Sequence, residues 1–145
     1  MQSTPTGWSV PPPGVFKVNV DGACSIVFGG SSGVNVVIRD GSGLVIAALS
    51  KLLPSNFPVE WTELFAIEQG LMLAQDMDLP QVMIESDALL AILAINQGNT
   101  RGEVGHLVEG ILQAKALFSC CSFAYLKRDY NMVAHESRAC SVLKD

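Results

Sequence analysis

Phe16-Lys17-Val18-Asn19-Val20-Asp21-Gly22-Ala23 is the stretch on which the reading of this chain turns. Its residues alternate strictly, with Phe16, Val18 and Val20 on one side and Lys17, Asn19 and Asp21 on the other, the period of a strand with one apolar face. The strand is expected to end at Asp21-Gly22, a pair that suits a turn. An acid at the close of a strand beside a glycine is also a common way to present a carboxylate.

Upstream, residues 1–14 are rich in proline and end in Pro11-Pro12-Pro13-Gly14, so an extended, solvated arm is expected there, with the domain proper over 15–145. Downstream, a Gly/Ser-rich turn over 28–33 leads to a strand over 34–39. Asp40-Gly-Ser-Gly43 then joins it to a second run, 44–53, as a hairpin whose second arm reads as buried. After Pro54 and Pro58 the period changes. Leu64, Ile67, Leu71 and Ala74 recur at helical spacing within 59–77, and Glu60 favours that helix's N-terminus. A short buried strand at 82–84, a helix over 88–97, a loop over 96–102, a helix over 104–118, a strand over 121–126 and a last helix over 131–142 complete the order.

The chain has 145 residues, 49% of them apolar and 16% charged, enough for one packed core. The longest apolar run, 44–53, is interrupted by Ser50 and Lys51, and a bilayer span needs about 20 apolar residues, so no membrane partner is expected. The first residues show neither a basic segment nor an apolar h-region, and an intracellular location, cytoplasmic or nuclear, is expected. Cys24, Cys120, Cys121 and Cys140 have no C-x-x-C spacing and are expected to be buried and reduced. A net charge of −5 argues against a strong nucleic-acid footprint, which rests on clustered cations. The nearest to a cluster is Lys127-Arg128.

Three acids stand at element junctions: Asp21, Glu63 in Thr62-Glu-Leu-Phe-Ala-Ile67, and Asp87 in Glu85-Ser-Asp-Ala88. Hard divalent cations take oxygen ligands, and two held together clamp both the attacking and the leaving oxygen of a phosphodiester. Each acid also has an ordinary explanation: Asp87 as a helix cap, Glu63 as a first-turn acid, Asp21 as a turn former. Only their convergence distinguishes a site from three separate habits.

Three antiparallel strands followed by α/β alternation, with acids in this order, resemble the ribonuclease H fold. With Val37-Ile-Arg-Asp-Gly-Ser-Gly43 and Asn131-Met-Val-Ala-His135 added, the chain looks most like the plant ribonuclease H-like domains of non-LTR retrotransposon origin. That resemblance implies an α/β fold, a five-stranded mixed sheet of three antiparallel and two parallel-type strands flanked by helices. It implies cleavage of the RNA strand of RNA/DNA hybrids with Mg²⁺ or Mn²⁺, two ions in all; separately, a monomer is expected. On it, Asp21, Glu63 and Asp87 are metal ligands and, with His135, the catalytic set. The resemblance also places Gly22, Ala23 and Cys24 to contact the hybrid, with a flexible hairpin connection as the alternative, while the Lys127-Arg128 pair is expected from its charge as a further substrate contact.

The chain departs from the family where catalytic members carry a fourth carboxylate, because His135 stands in that slot. Imidazole adds no negative charge and suits Mn²⁺ better than Mg²⁺. Metal ligand or proton carrier, phosphate contact and structural residue are all open for it, and adjacent Glu136 is a substitute acid. Ser137-Arg138 replaces an apolar pair, and Arg101 is the only cation of the 96–102 loop. A catalytically silent nucleic-acid-binding module is therefore the alternative function. His106, after Gly105, reads as a solvated or capping residue.

Overall fold

The computed structural model describes residues 14–25 and 31–127. The expected arm, the last helix, Arg128 and His135 lie outside the described residues. Five strands form one sheet in the order β3-β2-β1-β4-β5. They are β1 (Phe16–Ser25), β2 (Ser31–Arg39), β3 (Val45–Leu52), β4 (Gln81–Ser86) and β5 (Cys120–Tyr125). The first three pair antiparallel, while β1 with β4 and β4 with β5 pair parallel, so the expected mixed sheet is the one found.

Helix α1 (Val59–Asp76) packs across β1, β2 and β4, α2 (Leu89–Gln97) leans on β5, and α3 (Gly105–Lys115) lies against α1 and α2. The expected periodic set Leu64, Ile67, Leu71 and Ala74 is buried, opposite Val18, Val20, Val36 and Ile84. Each such side chain contributes about 1.5–3 kcal/mol by leaving water. Gly70 lets the helix come this close, since a Cβ there would sit 2.7 Å from Val20 Cγ1 and 3.0 Å from Val18 Cγ1.

The N-terminus of α1 is tied to β2 by buried hydroxyls. Phe57 N–H donates to Ser32 Oγ at 2.8 Å, and Thr62 Oγ1 donates to Pro58 O at 3.1 Å and lies 3.2 Å from Ser32 Oγ. This knot fixes where the first turn of α1, and so Glu63, meets the sheet.

Several expected boundaries move. The first strand does not stop at Asp21-Gly22: Gly22, Ala23, Cys24 and Ser25 pair with Val34, Gly33, Ser32 and Ser31. A ladder that satisfies backbone N–H and C=O groups outweighs the local turn preference, and the same pairing turns the end of the expected 28–33 turn into β2. The run 44–53 is not a buried strand but the sheet edge, with Val45 44% and Leu52 56% exposed around a buried Ala47-Ala48-Leu49. The hairpin turn is as expected. Asp40 Oδ1 accepts from Ser42 N, Ser42 Oγ and Leu44 N at 2.9, 2.6 and 3.0 Å, which holds its carboxyl below the usual carboxylate range, the Ser42 hydroxyl contributing most.

The cysteines are not uniformly buried, because successive residues of β5 face opposite sides. Cys120 is exposed, whereas Cys121 is buried and desolvation pushes its thiol up to about 11. Since the thiolate is the nucleophile, a maleimide at pH 7.5 is expected to modify Cys120 at least tenfold faster than Cys121. Mass-spectrometric comparison of Cys120→Ser with Cys121→Ser checks it.

Candidate metal centre

Asp21, Glu63 and Asp87 come together although they belong to three different elements. One carboxylate oxygen from each lies within 4.8 Å of the others. Asp21 is in the middle of β1 rather than at its end and is 1% exposed. Glu63 stands in the second turn of α1, and Asp87 follows β4. The cap position of α2 is Ala88, not Asp87, and its N–H donates to Ser86 Oγ at 3.0 Å in a local turn between β4 and α2.

Glu63 is aimed by the backbone of β1. Gly22 N–H donates to Glu63 Oε1 at 2.8 Å, and a Cβ at Gly22 would lie 2.7 Å from Thr62 O and 2.9 Å from Glu63 Oε1. Gly22 is thus a second point of close approach between α1 and the sheet, besides Gly70, a packing role that its expected contact with substrate did not include. On the far side, Glu63 borders an apolar cavity of about 340 Å³ between α1 and α2, lined by Val59, Leu64, Leu89 and Leu90 among others. A low-dielectric wall on one side strengthens the field of the acids.

Among the other expected site residues, Ala23 lies two ladder positions beyond Asp21 and Lys127 is exposed just past β5. Cys24 pairs with Ser32 through its backbone. His106 is exposed on α3 and meets Trp61 edge to face at 5.4 Å, while the cap position of α3 is Val104.

Sequence reasoning missed a second polar group. Lys17 Nζ lies 3.0 Å from Glu85 Oε2, both side chains 6% exposed, and Asn19 Nδ2 donates to Glu85 Oε1 at 3.1 Å. Lys17 and Asn19 share the face of β1 that carries Asp21. An alternating polar face is the pattern of a solvated strand side, and the one signal against it was Glu85 closing an otherwise apolar run.

A five-stranded sheet of this order, with acids on β1, α1 and after β4, defines an α/β domain of the ribonuclease H-like class. The chain belongs to the reverse transcriptase-like family, whose sequence profile it matches over residues 19–138. It is similar to ribonuclease H1 of the archaeon Halobacterium salinarum NRC-1, with a TM-score of 0.76 and 17% identity over 84% of this chain and 92% of that one. It is also similar to LC11 ribonuclease H1, isolated from compost, in complex with an RNA/DNA hybrid: TM-score 0.73, 20% identity, 83% and 91% covered. The foamy viral protease-reverse transcriptase in complex with an RNA/DNA hybrid matches with a TM-score of 0.65 and 15% identity, over 92% of this chain and 21% of that one. Comparison with curated proteins finds no match. Identities this low show a shared fold. Among the described residues, no helix is long and apolar enough to cross a membrane.

Proposed function

We propose that this domain is a divalent-metal-dependent endonuclease that hydrolyses the RNA strand of RNA/DNA hybrids, of the plant, retrotransposon-derived kind its motifs resemble. The observation that carries this reading is the convergence of Asp21, Glu63 and Asp87 within 4.8 Å on a ribonuclease H-like sheet.

The donor set fits the implied ion. Octahedral coordination at 2.0–2.1 Å separates ligand oxygens by about 2.9 Å when adjacent and about 4.2 Å when opposite. Oxygens within 4.8 Å meet that range with small side-chain adjustments. All three donors are hard carboxylate oxygens, which suits Mg²⁺ or Mn²⁺.

Asp21, Glu63 and Asp87 would hold the metal, which when bound neutralises the phosphodiester and lowers the pKa of the attacking water. The protein's own part is placement. The β1–β2 ladder holds Asp21, the Gly22 amide holds Glu63, and the β4–α2 junction holds Asp87. A site set on strands and a helix start loses little free energy to reorganisation as charge develops. In the slot of the fourth acid, His135 would carry the proton of the attacking water.

Incubating a labelled RNA/DNA hybrid with the protein and Mg²⁺ or Mn²⁺ tests the reading. Products ending in 5′-phosphate and 3′-hydroxyl are expected, and cleavage no greater than that of Asp21→Asn would sink it.

The alternative, a catalytically silent nucleic-acid-binding module, needs the same contact with a polyanion. Arg101, Lys115 and Lys127 are the exposed cations among the described residues, a sparse set that makes affinity modest and salt-sensitive in either reading. Hybrid binding unchanged by EDTA and by Asp87→Asn, with no product, would favour the silent module, and the substitution His135→Asp tests the fourth slot. It returns a negative charge to the fourth slot and is expected to raise Mg²⁺-dependent cleavage about tenfold while narrowing the preference for Mn²⁺. Unchanged rates with both ions would remove His135 from the site.

A further inference from the structure

We propose that the buried Lys17–Glu85–Asn19 network sets the charge of the three-acid centre, Lys17 cancelling Glu85 so that only three carboxylates act on the cation. The inference rests on the metal-centre reading above and adds to it residues outside the three carboxylates.

Asn19 and Glu85 are ladder partners across the parallel β1–β4 pair. Asp21 follows Asn19 by two residues on β1, about 6.6 Å further along the strand, and Asp87 follows Glu85 by two, just past the end of β4. The network is therefore the layer immediately behind the acids, shared by β1, which carries Asp21, and β4, which leads into Asp87. Without Lys17, Glu85 would be a fourth carboxylate in that layer; without Glu85, an ammonium would face the acids from behind. Asn19 hydrogen-bonds Glu85 and adds no charge of its own. With both charged side chains 6% exposed, salt screens the layer poorly.

The magnitude is large enough to measure. A unit charge roughly 10 Å from a divalent ion, at an effective dielectric between about 20 for protein and about 80 for water, changes affinity on the order of tenfold. Lys17, Asn19 and Glu85 are thus positioning residues, and their effect is read in cation affinity without any turnover.

The test is calorimetric titration of Mn²⁺ into the full chain for the wild type, Glu85→Gln, Lys17→Met and the double variant Lys17→Met/Glu85→Gln, each checked by thermal melting. Glu85→Gln keeps the side-chain shape but uncovers the ammonium, and its Mn²⁺ affinity is expected to fall about tenfold. The double variant, with no net change of charge, is expected within about threefold of wild type, a reversal that lost packing would not produce. Lys17→Met is expected to bind no more weakly than wild type, so the sign remains readable if Glu85→Gln does not fold. Equal affinity of Glu85→Gln and wild type, or equal weakening in all variants, would overturn the network's role while leaving the metal centre standing. Absence of Mn²⁺ binding in the wild type would overturn both.

Discussion

Asp21→Asn is expected to abolish hybrid cleavage, by about 10³-fold or more, while making the metal-free protein slightly more stable. Loss of an outer partner of a metal ligand commonly costs about 10–100-fold in affinity or activity. Asp21 would be a direct ligand, and it is the most buried of the three acids, so a larger loss follows. The stability change has the opposite sign because three carboxylates whose oxygens lie within 4.8 Å repel one another when no cation is bound. An asparagine of the same shape removes one charge, and its amide N–H groups can donate to the remaining two acids. In EDTA a gain of about 1 kcal/mol is expected, seen as a rise in Tm of roughly 3 °C for a chain of this size. Loss of cleavage accompanied by a lower Tm would point to damage to β1 and away from a metal role for Asp21.

The same acids mark how far the sequence could be read. Alternation in Phe16 to Val20 and the helical spacing of Leu64, Ile67, Leu71 and Ala74 reflect local geometry, and both reappear as core faces. The parallel placement of β4 beside β1 has no local signature. Only the order of motifs and the family resemblance suggested it. Where a local signal competed with a non-local ladder the ladder prevailed, as when β1 continued through Asp21-Gly22 because β2 supplied partners up to Ser25.

The Lys17–Glu85 pair was hidden for a related reason. A charged residue on the polar side of a strand ordinarily faces water, and its partner lies on a strand that is distant in sequence but adjacent in the sheet. Asp21, Glu63 and Asp87 were legible as a set, but what holds Glu63 was not. Gly22 read as a turn former and a hybrid contact, whereas its tight packing against Thr62 depends on a helix packed from the far end of the hairpin.

That packing makes Gly22→Ala the second large effect, with a stability change opposite to that of Asp21→Asn. An added Cβ would meet Thr62 O at 2.7 Å and Glu63 Oε1 at 2.9 Å. The first is backbone, and it cannot swing away as a side chain would. The first turn of α1 is further held by the Ser32, Phe57 and Thr62 hydrogen bonds, so relief must come from moving helix and strand apart. Overpacking of this kind typically costs about 1–3 kcal/mol, and a Tm lower by about 3–9 °C is expected. Separation would also lengthen the 2.8 Å bond from Gly22 N–H that aims Glu63. A misplacement of about 1 Å in a catalytic group can cost about 100-fold in rate, and a loss of that order should persist at temperatures where the variant is fully folded. Added Mn²⁺ should recover part of it, since all three carboxylates remain. Wild-type melting together with wild-type cleavage would show that α1 and β1 do not depend on a glycine at this contact.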